Sequence, residues 1–154
     1  MNDYRLLIGG KLVAGDATMD VINPATEEVL AICPRGSAAQ IDAAVAAAKA
    51  AFPGWARTPV DDRRALLVRL ADALAVRADE FARLLTQEQG KPLSESTAEI
   101  AYTGAFIRHL ATIEIAEKII EDNDSRRVVQ RRRPLGVVAA IIPWNFPVLI
   151  VAFK

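Results

Sequence analysis

Cysteine and histidine are almost missing from this chain, which carries one of each among 154 residues. A lone cysteine forms no internal disulfide, and one cysteine with one histidine falls short of a four-ligand zinc site. An excess of either charge is missing as well. Lysine plus arginine and aspartate plus glutamate stand at 19 each, a formal net charge of zero, so no global field draws the chain to nucleic acid or to an anionic membrane. No basic and then apolar leader follows Met1, where Asn2, Asp3, Tyr4 and Arg5 stand, so no secretory signal is visible. The longest apolar stretch, Leu135 to Phe153, is interrupted by Gly136, Pro143, Asn145 and Pro147, which argues against a membrane span of about 20 residues. Internal repeats and long low-complexity linkers are also missing. These absences point to a cytoplasmic protein, with a length suited to one ordinary domain and too short for a two-domain enzyme.

What the chain does have, 52% hydrophobic and 25% charged residues, is enough to build a core under a solvated surface. Leu6-Leu7-Ile8 and Lys11-Leu12-Val13 flank Gly9-Gly10, a pair suited to the positive φ angles of a two-residue hairpin turn. Val21-Ile22 reads as a short strand ended by Asn23-Pro24, and Val29 to Cys33 as extended chain broken by Pro34 and Gly36. Ser37 with Gln40 three residues on forms a capping-box pattern. Ile41, Val45, Ala48 and Phe52 then share one helical face. Pro53-Gly54 is expected to stop that helix and to leave Trp55 in the connector, its ring buried as an anchor. Thr58 as cap and Pro59 in the first turn open the next helix, whose inward stripe runs through Leu66, Leu67, Leu70 and Leu74 to Phe81, Leu84 and Leu85, with a break near Val76 to Asp79. Gly90-Lys91-Pro92 is a helix-ending signature. A further helix is expected from about Ser94 towards Ile120, with Ile100, Ile107, Leu110 and Ile113 facing inward.

The character of the sequence then changes. Ser125 to Arg133 is arginine-rich and extended, and Val137 to Ile142 is a continuous apolar run with the look of a central strand covered on both faces. Arg126, Arg127, Arg131, Arg132 and Arg133 suggest a nucleic-acid patch at first sight. The balanced charge, the lack of interleaved aromatics and the Val128-Val129 pair inside the run argue against one.

Pro143-Trp144-Asn145-Phe146-Pro147 follows the apolar run directly, and Pro147 can open a helix reaching Lys154. Strand, tight loop and helix in that order place the loop where open α/β sheets bind ligands. The helix start adds unpaired N–H groups and a positive dipole end, both favourable to developing negative charge. A carboxamide such as Asn145 donates to an oxyanion without titrating. From the local pattern alone, Asn145 reads first as a cap of the helix and only second as an oxyanion donor.

Arg133-Pro134-Leu135-Gly136-Val137-Val138 leading into Pro-Trp-Asn-Phe-Pro resembles the aldehyde dehydrogenase signature around the oxyanion-hole asparagine. Ile22-Asn23-Pro24-Ala25-Thr26, the stretch Ala50-Ala51-Phe52 to Trp55, and Glu88-Gln89-Gly90-Lys91-Pro92 match the same family in the same order. The resemblance spans Ile8 to Lys154. It implies an α/β fold, the N-terminal part of the aldehyde dehydrogenase fold: an incomplete Rossmann-like cofactor-binding domain with an N-terminal hairpin, helices and an oligomerisation-arm segment. Residues 1–122 would form the N-terminal part of that domain, 123–134 the arm strand, and 135–154 the first strand, loop and helix of the nucleotide-binding sheet. The arginine cluster would then lie on the arm, where charged edge strands limit wrong pairing.

The same resemblance implies the chemistry. Asn145 would hold the oxyanion of a thiohemiacetal formed when a cysteine thiolate attacks an aldehyde; hydride would pass to NAD or NADP, and water would release the acid from a thioester. Ile142, Pro143, Trp144 and Asn145 would lie along the cofactor. Lys154, seven residues after Pro147, matches a lysine sometimes assigned a charge-relay role, though a solvated lysine fits as well. Glu88 matches an acidic residue that helps hold a monovalent cation in some relatives, with carbonyls near Val21 and Ile22 as further ligands; a surface residue beside a helix stop is the alternative. The partners implied are an aldehyde substrate and further copies in a dimer or tetramer of the complete enzyme.

The family's nucleophilic cysteine and general-base glutamate are expected beyond residue 154. Cys33, in an apolar strand, reads as a small buried hydrophobe, and His109 as a packing or surface residue on its helix. The chain alone is therefore expected to be inactive, and its unfinished strand to promote association or partial disorder after about Leu135. A module of another class, inert in catalysis and binding or assembling through its helices and exposed strand, is the competing expectation. It gains if the reading frame stops after Lys154, and the enzyme reading gains if a catalytic domain follows.

Overall fold

The computed structural model describes residues 4–154. β1 (Leu6–Ile8) and β2 (Lys11–Val13) form the expected hairpin, Leu6 opposite Val13 and Ile8 opposite Lys11. Gly9 and Gly10 turn it with φ of 58° and 78°, values at which a side chain would crowd its own backbone. β3 (Ala17–Ile22) and β4 (Val29–Arg35) pair antiparallel, with the register slipping between Val21 and Ile22. Both strands are longer than the sequence suggests. Pro34 does not end β4 but sits opposite Thr18, because in a two-stranded ladder a residue without an N–H is tolerated wherever its edge faces outward.

α1 (Ala38–Arg57) starts as expected. Ser37 Oγ accepts from the Gln40 amide, and Gln40 Oε1 accepts from the Ser37 amide, both halves of a capping box. Gln40 Nε2 also donates to the Ala14 carbonyl at 2.8 Å, so the box ties the helix start to the connector after β2. The helix end is a correction: Pro53 and Gly54 lie inside α1, which continues to Arg57. Thr58 closes this helix, its hydroxyl donating to the Gly54 carbonyl, and it does not cap the next one. Trp55 is consequently helical and half exposed at 50%. The apolar face of α1 is open too, with Ile41 and Val45 at 60% and 48% exposure.

α2 (Val60–Val76) and α3 (Ala78–Gln89) are separated at Arg77, inside the stretch where a break was expected. α3 ends on Gly90 in the left-handed conformation, φ 84°, as Gly90-Lys91-Pro92 implied. α4 (Leu93–Thr112) packs against α2 and α3, and Ala82, Leu85 and Ile100 form the buried centre, with Leu74, Phe81 and Val148 against it. Of the stripe expected to face inward, Leu66 and Leu70 are exposed. They line an apolar groove of ≈ 340 Å³ together with Trp55, Leu110, Ile113 and Ile115.

α4 stops at Thr112, not near Ile120, and the chain turns into a strand that sequence periodicity missed: β5 (Lys118–Asp122) pairs with β6 (Arg127–Gln130). Arginines face acids across or beside this hairpin, Arg126 with Glu121 at 2.5 Å, Arg131 with Glu117 at 2.6 Å and Arg127 with Asp122 at 3.6 Å. Residues 131–146 then run without strand pairing. The apolar run expected as a central strand is irregular chain with Val138 and Ile141 at 62% and 87% exposure. A strand exists only through ladder bonds to a neighbour, and no described segment lies beside this one. No helix among the described residues is long and apolar enough to cross a membrane.

Gly90 has two reasons to be glycine: its φ of 84°, and Pro24 Cγ only 2.8 Å from where a Cβ would stand. Gly90→Ala is expected to lower stability by about 1–2 kcal/mol from backbone strain alone. Urea unfolding measures this, and an unchanged midpoint would contradict the close approach of the α3 end to the Asn23-Pro24 turn.

Candidate active-site loop

The loop 143–146 leads into α5 (Pro147–Phe153), which opens with Pro147 as expected. A helix this short holds poorly by itself, and its cap residue, Phe146, offers no side-chain acceptor. The first-turn amides must therefore find partners elsewhere. Pro147 has no N–H. Val148 and Leu149 donate to Glu99 Oε1 at 3.0 and 3.2 Å, and Ile150 donates to the Phe146 carbonyl at 2.9 Å.

Glu99 comes from the middle of α4, and its side chain is fully buried at 0% exposure. Its second oxygen, Oε2, accepts from Lys91 Nζ at 2.5 Å, with Lys91 only 12% exposed. Lys91 Nζ also donates to the Asn145 carbonyl at 2.9 Å and lies 4.6 Å from the centroid of the Phe146 ring. One residue pair earlier, Gln89 Nε2 donates to the Trp144 carbonyl, while Gln89 Oε1 is buried without a partner. A buried carboxylate is tolerable only when paired and fully hydrogen-bonded. Here two amides at a positive helix end and one ammonium supply that compensation. Beyond the loop, Phe153 meets Phe106 edge-on at 4.5 Å, which docks the far end of α5 on α4.

Sequence reading missed the role of both members of this pair, treating Lys91 as part of a helix stop and of a family motif and passing over Glu99. A signal was present. Ser96, Glu99 and Thr103 follow one another at +3 and +4 on the face of α4 that also carries Ile100 and Ile107, and all five are buried. Polar residues at core spacing announce a buried network. Ser96 accepts from Thr86 Oγ1 at 2.8 Å, and Thr103 donates to the Glu99 carbonyl at 2.7 Å.

The residues singled out from sequence fall as follows. Asn145 is exposed, held through its main-chain carbonyl. It does not cap α5, since Phe146 occupies that position. The helix start expected to offer free amides to an anion has none to spare at Val148 and Leu149, because the chain supplies its own carboxylate there. Ile142 is half-buried, Pro143 and Trp144 are exposed, and Lys154 closes α5 as an exposed residue.

Val21 and Ile22 end β3 at its register slip, where main-chain groups leave the regular ladder. Glu88 is exposed in the last turn of α3, close enough for its charge to act on Cys33. Cys33 is half-buried; burial, and then the Glu88 carboxylate, raise its pKa above the ordinary thiol value and keep it protonated. His109 is exposed beside the Phe106 ring.

Residues 12–154 match the sequence pattern of the Aldehyde dehydrogenase family. A probable aldehyde dehydrogenase from a Pseudomonas species is 40% identical over 151 residues, covering 98% of this chain and 31% of that protein. Among solved structures, succinate-semialdehyde dehydrogenase from Burkholderia pseudomallei superposes with a TM-score of 0.92 at 40% identity, covering 99% of this chain and 33% of that one. Betaine aldehyde dehydrogenase from Staphylococcus aureus, a point mutant in complex with NAD+, gives 0.92 at 28% identity over 97% of this chain and 32% of its own. The chain thus spans about one third of the length of the proteins it matches.

Replacing Lys91 with methionine leaves Glu99 buried without its cation. Lys91→Met is expected to destabilise the chain by about 3–5 kcal/mol, read as a lower urea midpoint. A midpoint equal to that of the unaltered chain would show that the carboxylate does not depend on Lys91.

Proposed function

This chain belongs to the aldehyde dehydrogenase family, and from that premise we propose that it supplies the oxyanion-binding loop of an enzyme that oxidises an aldehyde to a carboxylic acid with NAD or NADP. The observation that carries this reading is the division of labour at residue 145. The Asn145 carbonyl is engaged by Lys91, and the first amides of α5 are engaged by Glu99 and Phe146. Asn145 itself is exposed. Its carboxamide N–H is then the donor left to meet negative charge, and the helix amides are not.

In the complete enzyme a cysteine outside these residues attacks the aldehyde, and Asn145 holds the oxygen of the thiohemiacetal through its N–H. The same donor serves again when water attacks the thioester. A carboxamide does this without gaining or losing a proton, so its contribution does not vary with pH. Lys154, one helix length from the loop, is the further residue we assign to proton movement on this face.

The residues present fit one side of a dinucleotide. Ile142, Pro143 and Trp144 form an irregular, largely exposed stretch outside any ladder, and such main chain leaves its groups open to a long flat group lying along it. Asn145 follows at its end. The α5 start already carries the Glu99 carboxylate, so a diphosphate is not held there. When bound, the dinucleotide supplies the oxidising power by accepting the hydride.

The remaining assignments follow from the same reading. Residues 1–122 and 135–154 belong to the cofactor-binding domain, and the segment 123–134 to an oligomerisation arm whose strand β6 pairs with β5. The complete enzyme assembles as a dimer or tetramer through this arm. Val21, Ile22 and Glu88 are the ligands we assign to a weakly held monovalent cation at the end of β3.

In the complete enzyme, Asn145→Ala is expected to slow acylation by about 10²–10³-fold with cofactor affinity nearly unchanged. A single-turnover measurement showing unaltered acylation would remove Asn145 from the mechanism. The 154-residue chain alone is expected to give no turnover, and NAD(P)-dependent aldehyde oxidation by the purified chain would contradict this.

A further inference from the structure

We propose that Lys91 and Glu99 are positioning residues for the Asn145 carboxamide, acting through the Asn145 main-chain carbonyl and the first turn of α5. The proposal rests on the oxyanion reading of Asn145. An asparagine side chain has only two rotatable bonds, so where its N–H points is set chiefly by the main chain that carries it. That main chain lies in an exposed loop without ladder partners. Left to itself, such a segment samples many conformations, and a donor that must reorganise during the reaction contributes little.

Five contacts remove that freedom, made by Gln89 and Lys91 at the end of α3 and by Glu99 of α4. Gln89 donates to the Trp144 carbonyl. Lys91 donates to the Asn145 carbonyl at 2.9 Å and sits over the Phe146 ring. Glu99 takes the Val148 and Leu149 amides and at the same time holds Lys91 Nζ at 2.5 Å. The ammonium is thus fixed from one side by the carboxylate that caps the helix and spends its next proton on the residue that carries the reacting donor. Gly90 supports this arrangement from behind. Its left-handed turn, packed on Pro24, reverses the chain so that Gln89 and Lys91, two residues apart, both reach the loop.

A pair that merely stabilised the fold would look different in three respects. It would have no reason to bond the residue at the head of the chemistry, since Glu99 and Lys91 could satisfy each other and α5 without touching Asn145. Its loss would act on stability and cofactor binding together. Its kinetic cost would add to that of losing Asn145 instead of vanishing with it.

The test is a mutant cycle in the full-length enzyme, with NAD+ saturating and hexanal or succinic semialdehyde as probe, whichever turns over faster. Lys91→Met alone strands a buried charge, so the variant used is the charge-neutral pair Lys91→Met/Glu99→Gln. It keeps an acceptor oxygen for the α5 amides and removes the bond to Asn145. Its acylation rate, read from the single-turnover burst of NADH, is expected to fall by about 10–100-fold, the effect of a reacting group displaced by a fraction of its length. The Kd for NAD+ should not move. Adding Asn145→Ala to the pair should slow the reaction no further than Asn145→Ala does by itself.

A pair variant acylating at the parent rate while Asn145→Ala is slow would overturn the positioning role and leave the oxyanion reading standing. So would fully multiplicative losses in the triple variant. Parent-like acylation in Asn145→Ala would overturn the oxyanion reading and this proposal with it.

Discussion

A single buried ion pair organises the C-terminal third of this chain. Glu99, sealed inside the helical core, is neutralised among the described residues by Lys91 and the first amides of α5. Desolvating a carboxylate costs several kcal/mol unless every lone pair is answered. α3, α4 and α5 are therefore committed to one arrangement: the end of α3 must deliver the ammonium, α4 the carboxylate and α5 its N-terminus. The loop between the apolar run and α5 has little choice but to lie where these three meet. Asn145 is placed by the electrostatics beneath it and not by its own sequence. A polar network of this kind adds little net stability compared with a well-packed apolar core, but it discriminates sharply against alternatives that leave a charge bare.

The rest of the fold shows surfaces prepared for more protein. α1 has no fully buried residue. The groove between Trp55, Leu70 and Ile113 is lined largely by apolar side chains. Residues 135–142 are unpaired and mostly exposed, with Leu135 at 96% and Ile141 at 87%. Hydrophobic residues in such number at the surface are out of proportion for a self-contained domain, and the chain covers about a third of the proteins it resembles.

Much of this was legible in the sequence, and the failures share a cause. The Gly9-Gly10 hairpin, the Ser37–Gln40 capping box, the Gly90 stop and the Pro147 helix start are encoded within a few residues, and each stands where its local chemistry put it. Pro53 misled because proline was taken as a stop. The surrounding alanines carry the helix past it to Thr58. β5 was missed because Glu117 to Asp122 has no apolar alternation of its own. Its identity comes from its ladder with β6 and from the arginines in and beside that strand, a pairing visible only once the two segments are placed side by side. The expected strand at Val137 to Ile142 has the right composition and lacks a neighbour. At the candidate site, Asn145 and its loop could be named from a motif, whereas for Glu99 the spacing with Ser96 and Thr103 signals burial but not its partners. Its role depends on two amides some fifty residues away, and no local pattern reports a contact of that range.

The central claim is that Glu99, reached from α4, holds the first turn of a seven-residue helix. Site-resolved hydrogen exchange of the Val148 and Leu149 amides tests it most directly. If the carboxylate accepts from both, they exchange as slowly as the core amides of α4 near Ile100, although they sit at the very start of a short helix. Exchange as fast as that of Trp144 and Asn145 in the neighbouring loop would mean that the buried charge is answered in some other way, and the account would fall.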